Sequence, residues 1–324
     1  GIRSGGGLWV NYEIEGQDCI IDAHLTPTGD LWLATPNGLY KRTKDGVQTL
    51  IMEEPVLDIH YYADALWVAT NISAYRVDLS EEIPSTAYPL INLTPPITTI
   101  YGAADTIWIG TQDGIAKATL DPTTDSLGTW AEFLAVDEPY LPSGETVAFG
   151  YEGETTWIAV RGAQGGVARY GIDGFFDTVY SQQNSIIPSN LITDMSVNAQ
   201  RIVVTTEIGV RIFKPVITAN TDLVSLYARQ GIPAEAGTGH ILSVADTGSR
   251  LWMVTKPTMD RRYGGLMTLD VDDPNNPLRT EFSERFYDET AVDVLKSTLP
   301  ENAFGDRSRV TFNHVNFPEG GLIM

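Results

Sequence analysis

Residues 29–42 read GDLWLATPNGLYKR, and residues 104–117 read ADTIWIGTQDGIAK. Each runs through a turn, an apolar residue, Trp, a second apolar residue, a small residue and Thr. A polar turn with Gly follows, and then another short alternating stretch. The core returns as ALWVAT at 65–70, TTWIAV at 155–160, RIVVTT at 201–206 and RLWMVT at 250–255, with a degenerate seventh copy, RVTFNH, at 309–314. Anchored on Trp32, Trp67, Trp108, Trp157, Val203, Trp252 and Thr311, the copies are 35, 41, 49, 46, 49 and 59 residues apart. A period of about 46 residues is that of a four-stranded propeller blade.

The flanks repeat as well. An alternating run precedes each anchor by about eight residues: IIDAHL at 20–25, VLDIHY at 56–61, ITTIYG at 97–102, TVAFGY at 146–151, LITDMSV at 191–197, ILSVAD at 241–246 and AVDVLK at 291–296. These stretches are short, period-two, rich in Val, Ile, Thr and aromatics, and bounded by Gly, Pro, Asp and Asn. The reading is all-β: a seven-bladed β-propeller of four-stranded antiparallel blades, strands A to D, in one domain over residues 1–324. The blades fall at approximately 19–52, 55–91, 96–134, 144–180, 190–228, 239–283 and 288–324. The last copy ends without a strand D, so residues 8–15 are expected to complete that blade and close the ring, which removes an exposed sheet edge. The strand-B Trp side chains read as packing wedges between blades, each burying roughly 150–250 Å². The Gly before strand C is expected to supply a positive φ to a tight B–C turn.

Charge excludes several classes of partner. Lys and Arg number 21 against 42 Asp and Glu, a net charge of −21. Such a surface repels nucleic-acid backbones and anionic lipid. The single cysteine, Cys19, allows no internal disulfide, and no run reaches the 18 apolar residues of a membrane helix. The chain starts at Gly1, not Met, and is read as part of a longer polypeptide.

Enzyme signatures are absent: there is no phosphate-cradling Gly loop, nucleophile elbow, zinc-protease helix or EF-hand loop. The A strands carry one recurring polar set, Asp22, His24, Asp58, His60, Tyr101, Asp194 and Asp293, read as facing the central channel. Such a ring could bind a cation or do acid–base work. Alternatively, it satisfies backbone groups and channel water. Asp270, Asp272, Asp273, Asn275 and Asn276 offer oxygens suited to calcium but lack the EF-hand spacing, so they read as a turn. The sequons at Asn71 and Asn92 are of a kind that occurs by chance. No cofactor and no metal is implied.

Loop length points to one face, where the B–C and D–A loops emerge. The longest are 135–144, 161–166, 181–190, 229–239 and 256–265, so that face is expected to stand taller over blades 4 to 6. It carries Arg161, Lys256, Arg261, Arg262 and Tyr263, with Tyr140 nearby. The set is a candidate site for an acidic or carboxylate-bearing partner, protein or carbohydrate. The competing reading pairs these cations with local acids such as Asp260.

The repeat resembles that of the two-component-regulator propellers, with an Asp/Gly turn, Leu/Ile-Trp-Ile/Val, Gly/Ala-Thr and then a Gly-containing turn. The resemblance implies an extracytoplasmic sensing or docking part of a larger bacterial protein, periplasmic or at the cell surface. It brings no catalytic residue with it. Residues 266–282, LMTLDVDDPNNPLRTEF, are similar to a repeat of bacterial and archaeal surface propellers. The expected role is a non-enzymatic recognition scaffold. The other two readings are a propeller lyase or hydrolase acting at the channel mouth and a structural lattice subunit.

Overall fold

The computed structural model describes residues 2–3, 9–10, 20–80, 84, 88–89, 92–121, 123–124, 126–185, 187–213, 241–246, 248, 250–255, 265–270 and 322–323. Every regular element among them is a strand. The chain divides into two compact units, Ile14–Ser181 and Gly1–Glu13 with Gln182–Met324.

The first unit holds four meander sheets, each ordered A-B-C-D. Sheet 1 comprises Asp22–Leu25, Leu31–Thr35, Gly38–Arg42 and Gln48–Met52. Sheet 2 comprises Val56–Tyr62, Ala65–Thr70, Ser73–Asp78 and Tyr88–Pro89. Sheet 3 comprises Thr99–Ala103, Thr106–Gly110, Gly114–Asp121 and Ala131–Leu134, with Ser126–Leu127 pairing the far end of strand C. Sheet 4 comprises Ser143–Glu152, Thr155–Gln164, Gly166–Tyr170 and Phe176–Tyr180. Strand A of each sheet lies against strand A of the next.

The second unit holds sheet 5, Ile192–Val197, Ile202–Thr206 and Gly209–Phe213, and sheet 6, Ile241–Asp246, Arg250–Thr255 and Gly265–Asp270. A small terminal sheet in this unit runs Trp9–Val10, Ile2–Arg3, Leu322–Ile323. The strand bonded to the carboxy-terminal stretch is therefore Ile2–Arg3, and Trp9–Val10, from the segment expected in that place, lies one strand further out. The remainder of the expected seventh blade, with Asp293, lies outside the described residues, as do the fourth strands expected for blades 5 and 6.

Packing follows the repeat. Trp32 sits 1% exposed with Leu39, Val56, Ile59, Leu66 and Val68, between sheets 1 and 2. Trp67 does the same between sheets 2 and 3 with Ile97, Ile100 and Ile109. Trp108 fills the gap between sheets 3 and 4 with Phe149, Ile158 and Tyr170. Trp157, Trp252 and the substitute Val203 are buried too. In sheets 1 to 4 and 6 a flat aromatic on the same strand position spans the roughly 10 Å between stacked sheets.

The Gly at the start of strand C has the expected positive φ at Gly38 (147°) and Gly209 (153°), and further positive φ values lie where the sequence reading did not put them. Left-handed residues lie at the A–B ends, in the pairs Ala63–Asp64 (φ 50° and 57°), Ala104–Asp105 (47° and 53°) and Gly153–Glu154 (53° and 69°). These are two-residue hairpins whose twist calls for positive φ at both central positions. The B–C turns are closed in addition by a hydroxyl. Thr35, Thr70, Thr111 and Thr206 each donate from Oγ1 to the carbonyl three residues on, at 2.9–3.0 Å. Gly at the start of strand C answers to a close approach: a Cβ on Gly38 would meet Met52 O at 2.1 Å, and one on Gly114 would meet Phe133 O at 2.2 Å.

Candidate functional site

Strand A is an edge of each of these sheets, so alternate N–H groups on its open side have no ladder partner. Asp22 supplies one, with Oδ1 accepting from Ala23 N–H at 2.7 Å and Oδ2 from Ile59 N–H at 3.2 Å, across to sheet 2. Asp58 repeats the arrangement, Oδ1 to Ile59 N–H at 3.0 Å and Oδ2 to Ile100 N–H of sheet 3 at 2.7 Å. In the second unit Asp194 takes Met195 N–H at 2.7 Å, Val244 N–H of sheet 6 at 2.8 Å and the Ser243 hydroxyl at 2.7 Å. Asp58 and Asp194 follow register shifts in strand A that re-aim their carboxylates. These three acids staple successive A strands together. Sheet 3 has Thr99 in this place, and Thr98 Oγ1 donates to Thr146 O of sheet 4 at 2.6 Å.

Two residues along lies a row of rings. His24 and His60 stand 6.3 Å apart edge to face, His60 and Tyr101 4.7 Å, and Tyr101 stacks on Phe149 at 6.4 Å. His24 and His60 pair across strand with Trp32 and Trp67, so each ring shares its Trp's face and points at the next sheet. Burial lowers the His24 imidazole to about 4. Burial and the neighbouring His24 lower His60 to about 4, against a hydrogen bond to the Gly102 backbone. Tyr101 is pushed up to about 12 by burial. Burial, with the charge of Asp22, raises the Asp58 carboxyl well above the usual range. Among the described residues no group of three His, Cys, Asp or Glu could hold a metal ion.

The B–C turns carry a second recurring device. Glu54, between sheets 1 and 2, accepts from Thr70 Oγ1 at 3.2 Å and Tyr75 OH at 2.8 Å. Asp113 accepts from Thr94 N–H at 3.0 Å, Thr94 Oγ1 at 2.5 Å and Thr111 Oγ1 at 3.0 Å. Burial opposes the ionisation of Asp113, but these donors outweigh it and hold its carboxyl below the usual range. Glu207 accepts from Ser189 Oγ at 3.3 Å in the second unit. An acid thus ties each of these B–C turns to a D–A connection.

Arg161 is not in a loop. Strand B of sheet 4 continues to Gln164, and its hairpin with strand A pairs as far as Ser143 with Gln164. Most of the loop expected at 161–166 is thus strand. Arg161 Nη2 lies 2.5 Å from Glu145 Oε2 within it. Tyr140, 48% exposed, and Val136, 87% exposed, lie on the connection leading into that hairpin. Lys256, Arg261, Arg262 and Tyr263 lie outside the described residues, as do the Asp and Asn side chains of 270–276.

Sequence reading did not single out the ion pair between Arg201 and Asp246. Arg201 Nε meets Asp246 Oδ2 at 2.6 Å, with side chains 8% and 1% exposed. Asn198 Nδ2 and Gly248 N–H also donate to Asp246, at 2.7 and 2.8 Å. The cluster joins the A–B turns of sheets 5 and 6. An Arg directly before the apolar core of strand B was its one visible signal.

No protein-family model matches the chain, and no curated protein matches it. Solved structures do. A crystal structure of the extracellular domain of a candidate one-component system of B. thetaiotaomicron matches with a TM-score of 0.57 and 15% identity, over 80% of this chain and 33% of that one. A chain of the mitotic checkpoint complex gives 0.59 at 9% identity, over 81% and 78%. The WD40 β-propeller domain of Doa1 gives 0.57 at 9% identity, over 84% of both chains. The chain spans about a third of the length of the first of these. At these identities the likeness is one of fold, and that fold is propeller-like: all-β, from repeated antiparallel four-stranded sheets.

Proposed function

We propose that the chain is a recognition scaffold: a seven-bladed propeller, closed through its amino-terminal segment, that serves an extracytoplasmic sensor or surface assembly. Its protein partner docks on the end where the B–C and D–A loops emerge. The observation that carries this reading is the bracing of that end. Glu54, Asp113 and Glu207 each lock a B–C turn to a D–A connection, and the prolonged hairpin of sheet 4 stands beside exposed Val136 and Tyr140. A rigid loop platform with apolar and aromatic tips spends little entropy on binding. Recognition is favoured over catalysis because Asp22, Asp58 and Asp194 are committed to backbone N–H groups of the next sheet.

Within the same reading, the basic stretch Lys256, Arg261, Arg262 and Tyr263, with Arg161 and Tyr140, takes the acidic part of the partner. A photo-crosslinking residue at position 140, compared with one at Asp105 in an A–B turn, tests the face. Crosslinking in the native host should occur at 140 and not at 105, and equal yields at both would remove the assignment. Replacing Arg261 and Arg262 with Ala should weaken capture of that partner without lowering the melting temperature. Unchanged capture removes the basic stretch from the site.

A further inference from the structure

Residues 35–38 read TPNG, and Asn37–Gly38 is the one Asn-Gly step in the sequence. Asn37 is exposed on the B–C turn of sheet 1. Pro36 stands at the first central position, and neither it nor Asn37 has a positive φ, as in a type I turn. The fold dictates the glycine that follows. Gly38 takes a φ of 147°, and a Cβ on it would meet Met52 O at 2.1 Å. The fold does not dictate the residue before it. The corresponding turns of sheets 3 and 5 place Asp113 before Gly114 and Ile208 before Gly209.

A side-chain amide at this place sets up a ring closure. The Gly38 nitrogen, on losing its proton to hydroxide, attacks Cγ of Asn37. An N–Cγ bond forms, the Cγ–Nδ2 bond breaks, ammonia leaves and a five-membered succinimide results. Water then opens the ring at one of its two carbonyls, giving aspartate or isoaspartate. Glycine has no Cβ to crowd the attacking nitrogen, whereas Asn71 and Asn92 are followed by Ile72 and Leu93. The Asp-Gly steps at 45–46, 113–114 and 173–174 begin as carboxylates, which are poor electrophiles, and Thr94 and Thr111 hold Asp113 ionised.

The turn itself gates the reaction. Asn37 N–H donates to Thr35 Oγ1 at 3.2 Å, and the same hydroxyl donates to Gly38 O at 2.9 Å. These bonds fix the peptide between Asn37 and Gly38, and the ring closes only when that peptide rotates. We propose that Asn37 is a site of spontaneous conversion to aspartate and isoaspartate in the folded protein, at a rate set by the Thr35 hydroxyl. The product adds a negative charge to the net −21. As isoaspartate it also adds a methylene to the main chain of a two-residue turn. The extra atom draws Gly38 O away from Thr35 and Gly38 away from Met52, so the start of strand C loosens as the protein ages.

Ageing the folded protein at pH 8 in heavy-oxygen water, followed by peptide mass mapping, tests the proposal. The peptide containing Asn37 should lose ammonia and take up one labelled oxygen. It should also accept a methyl group from S-adenosylmethionine through an isoaspartyl methyltransferase, while the Asn71 and Asn92 peptides stay unchanged. Its rate should lie about ten- to a hundredfold below that of the same chain unfolded in urea, the protection that two turn hydrogen bonds supply. Thr35→Val removes both bonds and should speed conversion by about tenfold. If that variant fails to fold, the ratio of the folded to the urea-unfolded rate decides. A folded rate more than about a thousandfold below the unfolded one would confine the reaction to the globally unfolded chain and overturn the proposal. So would label uptake without isoaspartate, which marks direct hydrolysis, or a folded Thr35→Val variant that converts at the wild-type rate.

Discussion

The imidazoles of His24 and His60 lie 6.3 Å apart, edge to face, on the A strands of adjacent sheets. Both are held neutral by burial, with pKa values lowered to about 4. The unfolded chain, with histidines near 6.5, binds more protons between those limits. Their contribution to stability is therefore complete above about pH 6.5 and is lost as pH falls towards 4. A tenfold change in proton affinity is worth about 1.4 kcal/mol, so the pair carries a few kcal/mol. Thermal melts from pH 7 to 4 should show this fall, and His24→Gln with His60→Gln should flatten it. An equally steep fall in the double variant would assign the acid sensitivity elsewhere.

Asp58 has the opposite sign. Its carboxyl is raised by burial and by Asp22, so the folded state keeps the proton longer than the unfolded one. That contribution is full below the ordinary aspartate value and is lost as pH rises through the folded value. Asp58→Asn keeps an acceptor for Ile100 N–H and presents an amide to Asp22, so it should match or exceed the wild type near pH 8. Asp58→Ala leaves the Ile100 N–H unpaired and should cost about 1–3 kcal/mol. Urea titrations at pH 5 and pH 8 check both. A loss in the Asn variant as large as that in the Ala variant would show that Asp22 needs no protonated neighbour.

Asp246 is 1% exposed and bonded to Arg201, Asn198 and Gly248. Asp246→Ala strands a buried guanidinium and should cost about 3–5 kcal/mol. Pairing Arg201→Met with Asp246→Leu removes both charges and should recover most of the loss. A double variant no more stable than the single one would mean that geometry at the turn, and not charge burial, is what the pair supplies.

Ala63 and Asp64 hold φ values of 50° and 57°, where side chains with a Cβ are disfavoured. Placing Asn-Gly at these two positions fits the turn and should stabilise by about 0.5–2 kcal/mol. The gain should be visible as a higher melting temperature, against no gain from Asn-Gly at Pro36–Asn37, two B–C turn positions that themselves have no positive φ. No difference between the two sites would contradict the turn assignment.

The repeat of Trp, small residue and Thr made the strands legible, because a period-two apolar pattern and a fixed wedge position recur in each sheet. It also located Thr35, Thr70 and Thr111, though not their task of closing turns through a hydroxyl. Asp22, Asp58 and Asp194 were visible as a recurring position, and their partners were not. A carboxylate's work depends on which N–H group stands opposite it, and Ile59 and Ile100 are 37 and 42 residues further along the chain.

Sequence by itself determined what a repeated local pattern can encode: strand positions, the buried Trp face and the meander order of each sheet. Tertiary structure alone decided that the A–B turns at Ala63–Asp64, Ala104–Asp105 and Gly153–Glu154 are left-handed, that Arg161 pairs with Glu145 inside a prolonged hairpin, and that Arg201 meets Asp246. Those outcomes depend on distances between segments far apart in the chain, and spacing along a sequence carries no information about the gap between two sheets.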